Sequence, residues 1–192
     1  MEEFLDVSYI EKRKQHLEKK YTSIEEGVYI DCQILNFQKE VILDEFSIPI
    51  PMNFGEMPEA LSKVKYPSKS RPQYILTNEG LTVDFGFSVY EKEGTSLNKY
   101  IKIKELIGAL TVNPAVSKMS DVKPLKNEAG YYFKFHQKVI DGDLFHMIAN
   151  ISFDEVVVQC AFNCLLTTGD LWEKVVLQVW ESIERKVGGV DE

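Results

Sequence analysis

The stretch Glu155-Val156-Val157-Val158-Gln159-Cys160-Ala161-Phe162-Asn163-Cys164-Leu165 decides the fold. Its β-branched and aromatic residues favour an extended backbone, and the even positions Val156, Val158, Cys160, Phe162 and Cys164 are all apolar. The odd positions Val157, Ala161 and Leu165 are apolar too, so both faces need cover and the strand belongs at the centre of a sheet. Thr167-Thr168-Gly169-Asp170 follows, the residue types that cap a helix start, and Asp170 with Glu173 has capping-box spacing. Trp172, Val175, Val176, Val179 and Ile183 then form one helical stripe that can lie on that sheet. Arg185 and Lys186 suit the negative end of such a helix, and Gly188-Gly189 would stop it. Leu177 and Trp180 fall off the stripe; packing on a neighbouring element is the simpler reading, a partner surface the other.

Working outward, Asp141-Gly142 is the strongest hairpin signal in the chain, joining a strand from Tyr131 to Ile140 to one from Leu144 to Phe153. A helix from about Thr95 or Ser96 to Leu110 precedes them, closed by Asn113-Pro114, with a short strand expected near Val122. Before it, Thr82 to Tyr90 sets Val83, Phe85, Phe87 and Val89 on one side and Thr82, Asp84, Gly86 and Ser88 on the other, so that second side is wet or closely approached. Asn78-Glu79-Gly80 links that strand back to Tyr74-Ile75-Leu76-Thr77, with Gly80 able to turn left-handed. A short helix near Pro58 places Leu61 and Val64 on one side and ends at Tyr66-Pro67. Tyr29 to Phe37 reads as one strand, and Gln38-Lys39-Glu40 as a turn into a strand through Val41, Leu43 and Phe46. The prolines of Ile48-Pro49-Ile50-Pro51 would stop its pairing. A helix over about 7–20 begins the chain. No repeat or linker divides these elements. The expectation is one domain over 1–192: an α+β fold, an antiparallel sheet of about six strands with helices on both faces, and the N-terminal helix appended.

At 192 residues with a formal net charge of −8, the chain does not present the clustered cations a nucleic-acid partner needs. The only basic cluster, Lys12, Arg13, Lys14, Lys19 and Lys20, reads as a solvated helix face rather than a surface for an acidic partner or a membrane. No apolar run approaches the ~18–20 residues of a membrane-spanning helix. Met1-Glu2-Glu3-Phe4-Leu5-Asp6 lacks the basic start and apolar stretch of a signal peptide, so a cytoplasmic protein is expected. Cys160 and Cys164 lie roughly 13 Å apart at the strand rise, beyond the ~7 Å reach of a disulfide. With Cys32 they read as buried thiols of a reducing compartment.

Chemistry-bearing motifs are absent. A two-residue loop at Asp141-Gly142 pairs His146 with Gln137 and His136 with Met147, which places His136 and His146 on opposite faces. They cannot then share a metal ion. His16 stands apart. No metal-binding spacing, nucleophile turn or phosphate-cradling glycine loop occurs. No catalytic, cofactor-binding or metal-binding residue is assigned, no cofactor is expected, and the binding residues are unassigned. Tyr131, Phe133 and Phe135 alternate as nucleobase platforms do, but the acidic balance favours core packing.

Phe46-Ser47-Ile48-Pro49-Ile50-Pro51-Met52-Asn53-Phe54 resembles the opening strand-and-proline segment of the PsbP-like and DcrB-like (Mog-type) proteins. The helix after an aromatic strand is similar, and so is the ending, a hairpin followed by Leu171-Trp172-Glu173-Lys174 and Glu181-Ser182-Ile183. The resemblance spans about 28–187. It implies an antiparallel sheet between helices, and binding rather than catalysis: the group includes photosystem-associated subunits, Ran-binding transport factors, envelope proteins and adaptor chaperones. The N-terminal helix and the missing export signal count against an envelope or thylakoid role.

The expected function is therefore a non-enzymatic intracellular protein-binding or adaptor protein whose partner is another protein, with no nucleic acid and no membrane span. A homodimer is compatible with this. The alternatives are a small-molecule enzyme with scattered active-site residues, or a structural subunit of a larger assembly. A pocket lined by convergent ionisable side chains would favour the enzyme; a large apolar surface patch would favour the adaptor.

Overall fold

The computed structural model describes residues 2–91, 99–140, 142–153 and 156–185, with the side chains of 2–6 and 99–102 left aside. Helix α1 (Glu2–Lys20) leads into a tight ladder of β1 (Thr22–Ser23), β2 (Gly27–Ile30) and β3 (Gln33–Leu35). The hairpin β4 (Phe37–Ile42) and β5 (Phe46–Pro51) follows, then β6 (Phe54–Glu56), α2 (Glu59–Lys65), β7 (Tyr74–Asn78) and β8 (Val83–Glu91). Helix α3 (Lys99–Thr111) precedes β9 (Val116–Ser117), β10 (Lys123–Pro124), β11 (Gly130–Val139), β12 (Gly142–Ser152) and β13 (Val156–Leu165). Helix α4 (Gly169–Glu181) and β14 (Glu184–Arg185) complete the described chain.

The fold is mixed α+β with antiparallel sheets, but the main sheet has eight strands rather than about six. Its order is β10-β11-β12-β13-β8-β7-β6, with β9 also pairing β11, and two three-stranded sheets stand apart from it. β13 is central, as its two apolar faces require: it pairs Phe162 with Met147 on one side and with Phe85 on the other. The face carrying Phe85, Phe87, Phe145, Met147, Phe162 and Cys160 packs on Trp172, Val175, Val176 and Val179 of α4. Val28, Ile42, Phe46 and Ile48 of the smaller sheets, with Ile24 of the β1–β2 turn, join the same cluster, so α4 is enclosed between layers and Trp180 has no exposed surface. The opposite face splits between α3, where Ile103 meets Phe133 and Phe135, and α2 with the strap that follows it.

Several local readings are corrected by tertiary context. α1 begins at Glu2, not near Val7. Tyr29 to Phe37 is not one strand: Asp31 and Cys32 adopt φ of 48° and 63° and turn β2 back onto β3, which leaves Cys32 exposed. Gln38–Glu40 lies within β4, and the turn is at Leu43 and Asp44, again at positive φ. Pro49 and Pro51 remain paired opposite Lys39 and Phe37; lacking an N–H they suit the non-hydrogen-bonded sites, and Met52 N resumes bonding to Asn36 O at 2.8 Å. Leu61 and Val64 of α2 face solvent, while Ser62 is buried. Leu81, not Gly80, takes the left-handed conformation (φ 55°), held by the Asn78 side chain, which accepts from the Thr82 and Val83 amides. The start of α3 expected at Thr95 or Ser96 lies outside the described residues.

The C-terminal element departs from its reading at both ends. No side-chain cap bond forms at its start; Thr168 Oγ1 bonds back to Leu165 O, and Glu173 pairs instead with Lys134 at 2.6 Å. The chain arrives through a 3₁₀ turn (Leu166–Thr168) pressed against Phe145, where a Cβ on Gly169 would fall 2.7 Å from the Phe145 ring. The helix ends at Glu181. Ile183 stays buried in the connector, and Arg185 lies in β14, paired with Phe46. A free strand edge on β5 thus captures residues that local propensity gave to the helix. Lys186 and Gly188-Gly189 lie outside the described residues.

Candidate functional site

The β11–β12 register pairs Phe135 with His146 and His136 with Phe145, because Val139 opposes Gly142. Gly142 takes φ 136°, which explains the glycine at that point. The register is displaced from the expected one by an even number, so His136 and His146 still lie on opposite faces. His136 shares the α4 face, its ring edge-on to Phe145. Among the described residues no group of His, Cys, Asp and Glu could hold a metal ion.

The other face carries what the residue-by-residue reading missed. Thr77, Asp84 and Asn163 sit side by side on β7, β8 and β13, and His146 on β12 directly opposes Asn163. Asp84 has no exposed surface. Its Oδ1 accepts from Thr77 Oγ1 at 2.6 Å; its Oδ2 accepts from Tyr66 OH at 2.5 Å and pairs with Lys65 Nζ at 2.6 Å. Asn163 Nδ2 donates to Tyr66 OH at 2.6 Å. Lys65 also donates to Leu81 O at 2.5 Å. Together these bonds pin the end of α2 onto an otherwise apolar sheet, where each buried polar group requires a partner.

After Tyr66 the chain crosses the sheet as a strap, residues 67–73. Pro72 lies against Gly86, where a Cβ would come within 2.6 Å of Pro72 Cγ. Gln73 Oε1 accepts from Val89 N at 2.9 Å, tying the strap to β8. The row Asp84, Gly86, Ser88 is thus closely approached, one of the two outcomes its pattern allowed. Between this strap and the ends of β11, β12 and β13 lies a cleft of about 340 Å³. Pro67, Pro72, Val139 and Leu144 line its walls, Arg71 and Gln137 its rim, and Tyr66, His146 and Asn163 its inner end. A second depression of about 430 Å³, with Glu56, Glu59 and Lys69 on its walls, lies across the strap but does not reach the buried polar cluster.

Burial sets the chemistry of the inner end. It pushes the Tyr66 phenol well above its ordinary range, with the Asp84 carboxylate adding to the effect. It lowers His146 to about 4, with Asp84 opposing and Lys65 reinforcing the shift. The imidazole is therefore neutral near pH 7, stacked on Phe135 with centroids 4.8 Å apart and planes 4° apart. Its Nε2 is sealed from water and has no hydrogen-bond partner. On the opposite face, burial holds the Cys164 thiol up at about 12 and raises Cys160 further, so both are inert.

Just beyond the cleft the same face presents Leu144 and Leu165, a cross-strand pair, with Val139 on the neighbouring strand. Val139 is 40 % exposed, Leu165 41 % and the hairpin-tip Ile140 fully so. Phe133 and Phe135 are core residues under α3, as the packing reading expected. Trp180 also packs inward, its Nε1 without a partner. His16 and the basic cluster of α1 are exposed.

Compared with known proteins, the architecture is PsbP-like. The chain is similar to CyanoP, the cyanobacterial PsbP of Synechocystis sp. PCC 6803, with a TM-score of 0.55 and 11% identity over 83% of this chain and 98% of that one. It is also similar to LpqN, involved in cell envelope biogenesis of Mycobacterium tuberculosis, with a TM-score of 0.53 and 13% identity over 87% and 99%. Identities this low show the fold alone. No family model matches the chain, and no curated protein matches it. No described helix is long and apolar enough to cross a membrane.

Proposed function

We propose that this is a non-catalytic, cytoplasmic binding protein, one folding unit over 1–192 with α1 appended, and that a segment of another protein seats in the strap cleft and on the adjoining apolar shelf. One observation carries the reading: the ionisable groups at the inner end of the cleft are paired or held uncharged by burial, whereas the surface beside them is apolar and exposed. Both Asp84 oxygens are occupied, the Tyr66 phenol is held against ionisation, and His146 is a weak base with a sealed Nε2. Val139, Ile140 and Leu165 are free to meet an apolar partner. The free thiols at Cys32, Cys160 and Cys164 agree with a reducing compartment.

The convergence of Asp84, Tyr66 and His146 favours the rival reading, a small-molecule enzyme built from scattered residues. It is the weaker one because a general base needs a pKa near the working pH and access to the proton it takes. The test uses affinity purification with two matched baits, wild type and Leu165→Glu, followed by mass spectrometry. A stoichiometric partner retained by the wild type and lost by the variant supports docking at this face. Turnover in a broad substrate screen, abolished by His146→Phe, would replace it with the enzyme.

A further inference from the structure

Resting on the reading of the cleft and shelf as a docking site, we infer that one occupant is the first half of α1 from a second copy of this chain. Residues 2–11 run Glu-Glu-Phe-Leu-Asp-Val-Ser-Tyr-Ile-Glu, with four acids, no base and several apolar residues. Val7 is 56 % exposed, Tyr9 70 % and Ile10 65 %. Among the described side chains of α1, residues 7–20, none belongs to either core cluster. Most helical stability in proteins comes from packing an amphipathic face, and of the described α1 side chains only Leu17 is even half-buried. Its second half holds five cations, which makes the acidic, apolar first half a distinct segment.

The receptor surface has the complementary chemistry. Leu165, Val139 and Leu144 offer the apolar shelf, and Arg71 stands on the cleft rim. Arg71 makes no ion pair among the described residues; its charge lowers Glu59 through space only. Val7 and Ile10, three residues apart, share a helix side that can cover the shelf, while Glu11 comes within reach of Arg71. Each copy supplies one helix and one cleft, so reciprocal exchange closes a twofold dimer.

Sedimentation of the full chain over a concentration series tests this, alone and with Ile10→Glu, Leu165→Glu and Arg71→Glu, all at solvent-facing sites. The wild type should dimerise, and Ile10→Glu or Leu165→Glu should weaken association by about tenfold or more with unchanged melting. Mixing those two variants should recover a heterodimer, because one keeps an intact cleft and the other an intact helix. Glu11→Arg should restore association to Arg71→Glu. A monomeric wild type throughout the series, or a dimer that both apolar variants leave intact, overturns the inference. If it falls while Leu165→Glu still loses a stoichiometric partner in the affinity experiment, docking at this face stands with a different occupant; if neither effect appears, both readings fall.

Discussion

On one face of the eight-stranded sheet, Phe85, Phe87, Phe145, Met147 and Phe162 meet a single amphipathic helix, and the smaller sheets seal the far side of that helix. On the other face, Asp84, Gly86 and Asn163 meet a short helix whose own apolar residues point to solvent, and a proline-bearing strap lies directly on the backbone at Gly86. The first face is held by apolar area, which is non-directional and tolerant of repacking. The part of the second face under α2 and the strap is held by a few hydrogen bonds and an ion pair to a buried carboxylate, which demand geometry and lose heavily when one partner goes. A face assembled that way leaves gaps between its parts, and the cleft is one of them. Stability and binding surface are thus divided between the two sides of the same strands.

Removing α4 should have the largest effect on the fold. Truncation after Thr168 strips Trp172, Val175, Val176, Val179 and Trp180, each at most 3 % exposed, from the apolar face. At about 1.5–3 kcal/mol per side chain this rivals a domain's whole margin of about 5–15 kcal/mol. The truncated chain should show no cooperative thermal transition by circular dichroism; a cooperative melt would mean that the opposite face, with α3 and the α2 cluster, can hold the sheet alone.

Next in size, Asp84→Ala should cost about 3–4 kcal/mol in chemical denaturation, because it leaves Lys65, Tyr66 and Thr77 without their shared acceptor. A loss below about 1 kcal/mol, the worth of an exposed pair, would show the cluster to be solvated rather than structural.

Acid titration sharpens the contrast further. His146 has its folded pKa lowered from 6.5 to about 4 by burial, so below pH 6.5 the unfolded chain takes up this proton before the folded one does. Its contribution is fully present above pH 6.5, declines as pH falls, and is gone below about 4. The decline amounts to about 3 kcal/mol. His136, also lowered by its burial and by Lys118 and Lys134, acts with the same sign. Stability against pH for His146→Phe should be flatter between those limits than for the wild type. Parallel curves would show that His146 is not buried neutral.

The smallest expected effect is at the strap. Gly86→Ala should cost about 1–2 kcal/mol, since the new methyl must displace Pro72. It should also widen the cleft and change partner retention more than the melt. An unchanged melt with unchanged binding would mean that the strap does not depend on this contact.

Periodicity and turn chemistry alone determined the central β13, the apolar stripe of α4, the β11–β12 hairpin and the separation of His136 from His146, because each follows from spacing along a few residues. The register, which pairs His146 with Phe135 rather than Gln137, did not disturb the last of these, since a shift by two keeps every side chain on its face. Tertiary structure decided what depended on distant partners: β14 was drawn out of the expected helix by the edge of β5, and the tight turns at Asp31-Cys32 and Leu43-Asp44 divided expected single strands. The candidate site belongs to this second kind. Its one local trace was the small and polar row Asp84, Gly86, Ser88 beside a fully apolar one, with Asn163 as its match in β13. Tyr66 and Asn163 lie 97 residues apart, and only the folded sheet brings them within one hydrogen bond, because a buried polar cluster is specified by which groups meet and not by any spacing along the chain.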